Sequence, residues 1–80
     1  MTKPNQAPAL DPVRIASAVG AKSSGWLKLG DGRWDGNVTD DRGQHYHVVE
    51  LPTGSWRVVD EDGEIVNGRT LEQALKVALA

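Results

Sequence analysis

The stretch His45-Tyr46-His47-Val48-Val49-Glu50-Leu51-Pro52-Thr53-Gly54-Ser55-Trp56-Arg57-Val58-Val59-Asp60 decides how this chain folds. Two runs rich in β-branched and aromatic residues flank a Pro/Gly break, the pattern of two antiparallel strands joined by a tight loop. A four-residue loop over Pro52 to Ser55 sets Leu51 opposite Trp56, Glu50 opposite Arg57 and Val49 opposite Val58. In that register apolar meets apolar and acid meets base, the cross-strand pairing that stabilises a sheet. It also sets Asp60 opposite His47.

Working outward, Asp-Gly and Pro/Gly turns recur about every ten residues, as in a meander of short strands. Upstream, Trp26-Leu27-Lys28-Leu29 meets Arg33-Trp34-Asp35 across Asp31-Gly32, a dipeptide suited to a two-residue hairpin. Leu29 then faces Trp34, and Lys28 faces Asp35. Val38-Thr39 runs into the turn Asp40-Asp41-Arg42-Gly43, and downstream Glu61-Asp62-Gly63 turns the chain into Glu64-Ile65-Val66, a last strand. Thr70 with Gln73 three residues on is a capping box, and Leu71, Ala74, Leu75, Ala78 and Leu79 follow at helical spacing. Near the start, Asp11-Pro12 reads as an N-cap with proline at the first helical position. Val13, Ile15, Ala16 and Val19 supply the apolar positions of a two-turn helix that Gly20 stops, and Ala21 to Ser24 is a connector. The fold class is therefore α+β: a short N-terminal helix, an antiparallel β-meander of four or five strands, and a C-terminal helix packed on the sheet. Residues 1–10 read as a flexible tail and residues 11–80 as a single domain.

Eighty residues put the chain where surface is large relative to core, so stability rests on few contacts. No cysteine is present, which removes disulfides, thiolate nucleophiles and cysteine zinc sites and suits a reducing compartment. The opening residues lack the apolar centre of a signal peptide, and no apolar run reaches the roughly 20 residues of a membrane span, so the expected location is cytoplasmic, without a membrane role. The net charge of −2 conceals an asymmetry. Residues 31 to 64 hold nine acids (Asp31, Asp35, Asp40, Asp41, Glu50, Asp60, Glu61, Asp62, Glu64) against Arg33, Arg42 and Arg57, a net of −6. A nucleic-acid binder normally carries a basic stripe, which makes nucleic acid an unlikely partner.

Chemistry-bearing patterns are sparse. His45 and His47 share one strand face with Asp60 in the register above, yet no further ligand is fixed by local spacing, and paired surface histidines are the simpler reading. Asp31, Asp35, Asn37, Asp40 and Asp41 imitate a calcium loop, but the third and twelfth positions counted from Asp31 are Arg33 and Arg42, which breaks the pattern. Ser17, Ser23, Ser24 and Ser55 sit in no nucleophile motif, and neither histidine has an orienting partner evident in the sequence, so no catalytic residue, cofactor or metal is assigned and the protein is expected not to be an enzyme. Trp26, Trp34 and Trp56 are expected to fill the space between sheet and helix. Both faces of the middle strands carry apolar residues, and the C-terminal helix covers only one. The N-terminal helix, or a second copy in a homodimer, is left for the other.

The acidic turns hold the functional signal. Aspartate is a turn residue in its own right, but carboxylates clustered on rigid tips also complement a basic surface and steer its approach. Short, acidic, free-standing single domains of this kind resemble the small inhibitors made by phages and mobile elements, including anti-CRISPR proteins. The resemblance rests on size and on the Asp40-Asp41 and Asp60-to-Glu64 clusters, and it implies an inhibitor that blocks a basic, nucleic-acid-handling surface of a larger complex. The expected partner is another protein, and the expected contact residues are Asp40, Asp41, Asp60, Glu61, Asp62, Glu64, Trp34 and Arg57. Two other readings stand beside it: a nucleic-acid-binding sheet using Trp34, Trp56, Arg33 and Arg57, and a structural or accessory homodimeric subunit.

Overall fold

Four turns of one kind build the sheet. In Leu29–Arg33, Asp40–Gln44, Leu51–Ser55 and Asp60–Glu64 the first residue's N–H donates to the carbonyl of the fifth at 2.7, 3.0, 2.7 and 3.1 Å. The fourth residue is always a glycine whose N–H donates back to the first carbonyl, and Gly32, Gly43, Gly54 and Gly63 all lie at φ between 82° and 90°. This is the three-residue hairpin loop, a type I turn closed by a left-handed residue that forms a bulge, and glycine takes that conformation without a Cβ clash.

The computed structural model describes residues 12–80, so the expected tail over residues 1–10 and the Asp11 cap lie outside the described residues. Helix α1 (Pro12–Ala18) leads into β1 (Lys22–Lys28), β2 (Trp34–Thr39), β3 (His45–Glu50), β4 (Trp56–Asp60) and β5 (Ile65–Gly68), and helix α2 (Leu71–Leu79) closes the chain. The five strands form one antiparallel sheet in sequence order. The architecture is thus the α+β meander that the turn spacing predicts.

The register differs by one residue at two hairpins. Leu29 and Leu51 pair with Arg33 and Ser55, so Lys28 lies opposite Trp34, Leu27 opposite Asp35, Glu50 opposite Trp56, Val49 opposite Arg57 and Val48 opposite Val58. A two-residue loop at Asp31-Gly32 requires positive φ at both residues, and among the described residues none other than glycine takes one. Because side chains alternate with period two, a slip of one residue exchanges the faces. The observed register puts Val38, Tyr46, Val48, Val58 and Val66 on one face. The β1 strand also starts earlier than expected. Ser23 pairs with Val38 and Gly25 with Asn37, so the connector around Ser24 is a bulge inside the strand.

Both helices take the same face: α1 packs on β1, α2 on β4 and β5, and the two touch each other. The alternative in which α1 covers the opposite face does not hold. Helix α1 ends in a Schellman motif, with the Ala21 N–H on the Ala16 carbonyl at 2.9 Å and the Gly20 N–H on Ser17 at 3.1 Å, and this turns buried Ala16 and Ala21 into the core together. Helix α2 starts at the expected cap, where Thr70 Oγ1 accepts from the Gln73 N–H at 3.1 Å, and its buried stripe is Leu71, Ala74 and Leu75. The core holds small and aliphatic side chains with Tyr46, and Trp26 and Trp56 pack against its edge. Among the described residues Trp34 belongs to neither group, contrary to the expectation that all three tryptophans serve as filling.

Candidate functional site

In an up-and-down meander alternate turns share an end, so Asp40–Gln44 and Asp60–Glu64 lie side by side, and the His45 N–H donates to Glu61 Oε2 at 3.1 Å between them. Asp40 and Asp60 play the same part in the two turns. One oxygen of each accepts from two backbone N–H groups at 2.9 Å, those of Arg42 and Gln44 for Asp40, and of Asp62 and Glu64 for Asp60. Asp40 goes further: its residue is 9% exposed, its second oxygen accepts from the Tyr46 hydroxyl at 3.0 Å, and the Arg42 guanidinium stands 3.8 Å away. The expected set of six acids therefore divides. Asp40 and Asp60 hold their turns in shape, while Asp41, Asp62 and Glu64 are exposed with carboxylates that have no partner among the described residues, and Glu61 bridges the two tips. Aspartate at the first position of an Asp-x-x-Gly turn is the sequence signal for this division.

The Gln44 N–H, opposed by burial and assisted by the Arg42 N–H and the Tyr46 hydroxyl, holds the Asp40 carboxyl below the usual carboxylate value of 3.8. A lowered carboxyl pKa contributes stability that is present above the unfolded value and lost as pH falls through the folded one. Melting temperature is expected to drop on acidification below about pH 4, and Asp40→Asn to flatten that drop; thermal melts between about pH 2 and 6 check it, and equal acid profiles for the two proteins would refute it. Burial first, and then the bond to Asp40, raise the Tyr46 hydroxyl above 10.0, so its contribution persists below the unfolded value and is lost as pH rises through the folded one.

At the other end of the sheet the remaining two hairpin loops, the first turns of both helices and the helix-facing row of side chains enclose a cleft of about 460 Å³. Across the strands that row reads Lys28, Trp34, Glu50, Trp56 and Gly68. Lys28 Nζ stands 4.4 Å from the centroid of the Trp34 ring, a cation–π contact that fixes the indole. Glu50 Oε1 accepts the Trp34 backbone N–H at 3.2 Å, and Arg33 Nη1 donates to the Glu50 carbonyl at 3.2 Å. Pro12, Ile15 and Leu71 form the apolar wall opposite, with Arg69 exposed near the mouth. Sequence reasoning selects Trp34 here but misses Glu50, because the four-residue loop places Glu50 beside Arg57. With Gly54 as the left-handed loop residue, Glu50 turns inward between Trp34 and Trp56.

Arg57 lies on the sheet face away from the helices, flanked by Val49 and Asn67, and its Nε donates to Asn67 Oδ1 at 3.4 Å. That face also carries Leu27 and Ile65, 64% and 57% exposed, and the pair His47 Nε2 to Asp35 Oδ1 at 2.8 Å. Asp60 pairs with Tyr46, not His47, and falls on the opposite face, so the His45, His47 and Asp60 constellation is dispersed. The expected contact residues thus occupy three places: the acidic end, the tryptophan cleft and the open face. No helix among the described residues is long and apolar enough to cross a membrane. Neither the family models, the curated proteins nor the solved structures compared with this chain give a match.

Proposed function

We propose that this chain is a non-enzymatic protein-binding module of the cytoplasm, a small inhibitor of the phage or mobile-element, anti-CRISPR-like kind, that sets its acidic end against a basic, nucleic-acid-handling surface of a larger complex. The observation that carries the reading is the segregation of charge by the meander. Asp40, Asp41, Asp60, Glu61, Asp62 and Glu64 gather on two adjacent turns with Arg42 as the one base among them. Trp34, a large aromatic outside the core, supports a binding role independently, since aromatic anchors dominate protein interfaces. Carboxylates on rigid turns attract a basic partner over distance and act mainly on the association rate.

The variant Asp41→Asn, Asp62→Asn, Glu64→Gln removes three charges whose carboxylates make no hydrogen bond to the turns. Association with the protein recovered by affinity capture from the native host is expected to slow about tenfold or more at low salt. The difference should narrow above about 0.15 M salt, where the screening length is near 8 Å, with stability nearly unchanged. A variant that associates at the wild-type rate at every salt concentration would remove the acidic end from the interface, and an association without salt dependence would remove charge steering altogether.

A further inference from the structure

The cleft at the opposite end of the sheet has the composition of a receptor, and the acidic end does not account for it. Glu50 is half-buried on the helix side of the sheet, between Trp34 and Trp56 in the same cross-strand row, and no cation stands within ion-pair distance of its carboxylate among the described residues. A carboxylate on this side of the sheet with no ion-pair partner keeps acceptor capacity for an incoming donor. Its orientation is set from within the chain, because the Trp34 N–H holds Oε1 and leaves Oε2 available.

The two tryptophans lie two strands apart, so their backbones are separated by roughly 10 Å with Glu50 between them. That spacing admits one flat group between or against the indoles, above the carboxylate. By register Lys28 lies on the β1 side of Trp34 and Glu50 on the β3 side. We propose that the cleft receives an arginine side chain of a partner protein, its guanidinium stacked on Trp34 and Trp56 and hydrogen-bonded to Glu50. The planar guanidinium combines the two properties that the row calls for, a face that stacks on indole and a fork of N–H donors that fits a carboxylate. The lining also holds the cations Lys28 and Arg69. Both are exposed, and Lys28 is engaged on the Trp34 ring, so solvent screens their repulsion, whereas a guanidinium seated on Glu50 meets its carboxylate at hydrogen-bond distance. This inference rests on the reading of the chain as a protein-binding module but uses none of the acidic-end residues, so the two can fail separately.

The test follows the three indole N–H resonances of the full chain by NMR during titration with N-acetylarginine amide. Trp26 is an internal control, since its Nε1 donates to Ser23 Oγ at 2.8 Å outside the cleft lining. The Trp34 and Trp56 signals are expected to shift saturably, with a dissociation constant on the order of millimolar, while Trp26 stays in place. Glu50→Gln should weaken the response about tenfold, and N-acetyllysine amide, equal in charge but not flat, should bind several-fold more weakly. Trp34→Phe supplies a second variant outside the core, expected to weaken binding with the fold intact. Shifts of all three indoles together, equal binding of the lysine compound, or an unchanged response in both variants would overturn the proposal. Tighter saturable shifts with guanosine monophosphate than with the arginine compound would also overturn it, in favour of a purine site.

Discussion

Leu75→Ala is expected to lower the unfolding free energy by about 2–5 kcal/mol, the range for truncating a buried leucine. Leu75 is 0% exposed and, with Leu71 and Ala74, forms the α2 stripe that meets β4 and β5. It is also the largest of the fully buried side chains, so its loss opens a cavity that Val38, Val48 and Val58 on a hydrogen-bonded sheet cannot collapse to fill. A domain this small has a total stability of only several kcal/mol, and the variant should be partly unfolded at room temperature. Urea melts followed by circular dichroism measure the loss. A change below about 0.5 kcal/mol, the size of a surface effect, would mean that α2 does not hold the core.

Gly36→Ala is expected to cost about 1–3 kcal/mol, although alanine is ordinarily harmless in place of glycine within a strand. Gly36 is buried opposite Trp26, and a Cβ there would collide with the Trp26 indole and stand 2.8 Å from the Gly25 carbonyl oxygen. The indole lies over the bare glycine and is anchored by its bond to Ser23 Oγ at 2.8 Å, beside the β1 bulge. Displacing it breaks that bond and exposes the edge of the core between β1 and β2. Tryptophan fluorescence should shift to the red and the denaturation midpoint should fall together. An alanine variant with wild-type midpoint and emission would show that Trp26 can leave its seat at no cost.

What the amino-acid sequence determined by itself was local. Pro12 and Gly20 bound α1, Thr70 caps α2, and the spacing of glycine-bearing turns makes a meander, because dihedral preference and capping depend on residues only a few positions apart. Charge clustering at Asp40-Asp41 and Asp60-to-Glu64 was legible for the same reason. The faces were decided elsewhere. A single residue's difference in loop length, two against three at Gly30–Gly32 and four against three at Pro52–Gly54, exchanges the sides of a strand, and cross-strand charge matching was too weak a guide beside the left-handed glycine and the burial of Val48 and Val58. From that register follow the inward Glu50, the separation of Asp60 from His47 and the outward Arg57. Only the tertiary structure could also put α1 and α2 on one face, since Ala16 must meet the same core as Leu75. That shared packing builds the cleft around Trp34, Glu50 and Trp56 at one end and leaves the acidic turns at the other, an arrangement of residues far apart in the chain that no local preference encodes.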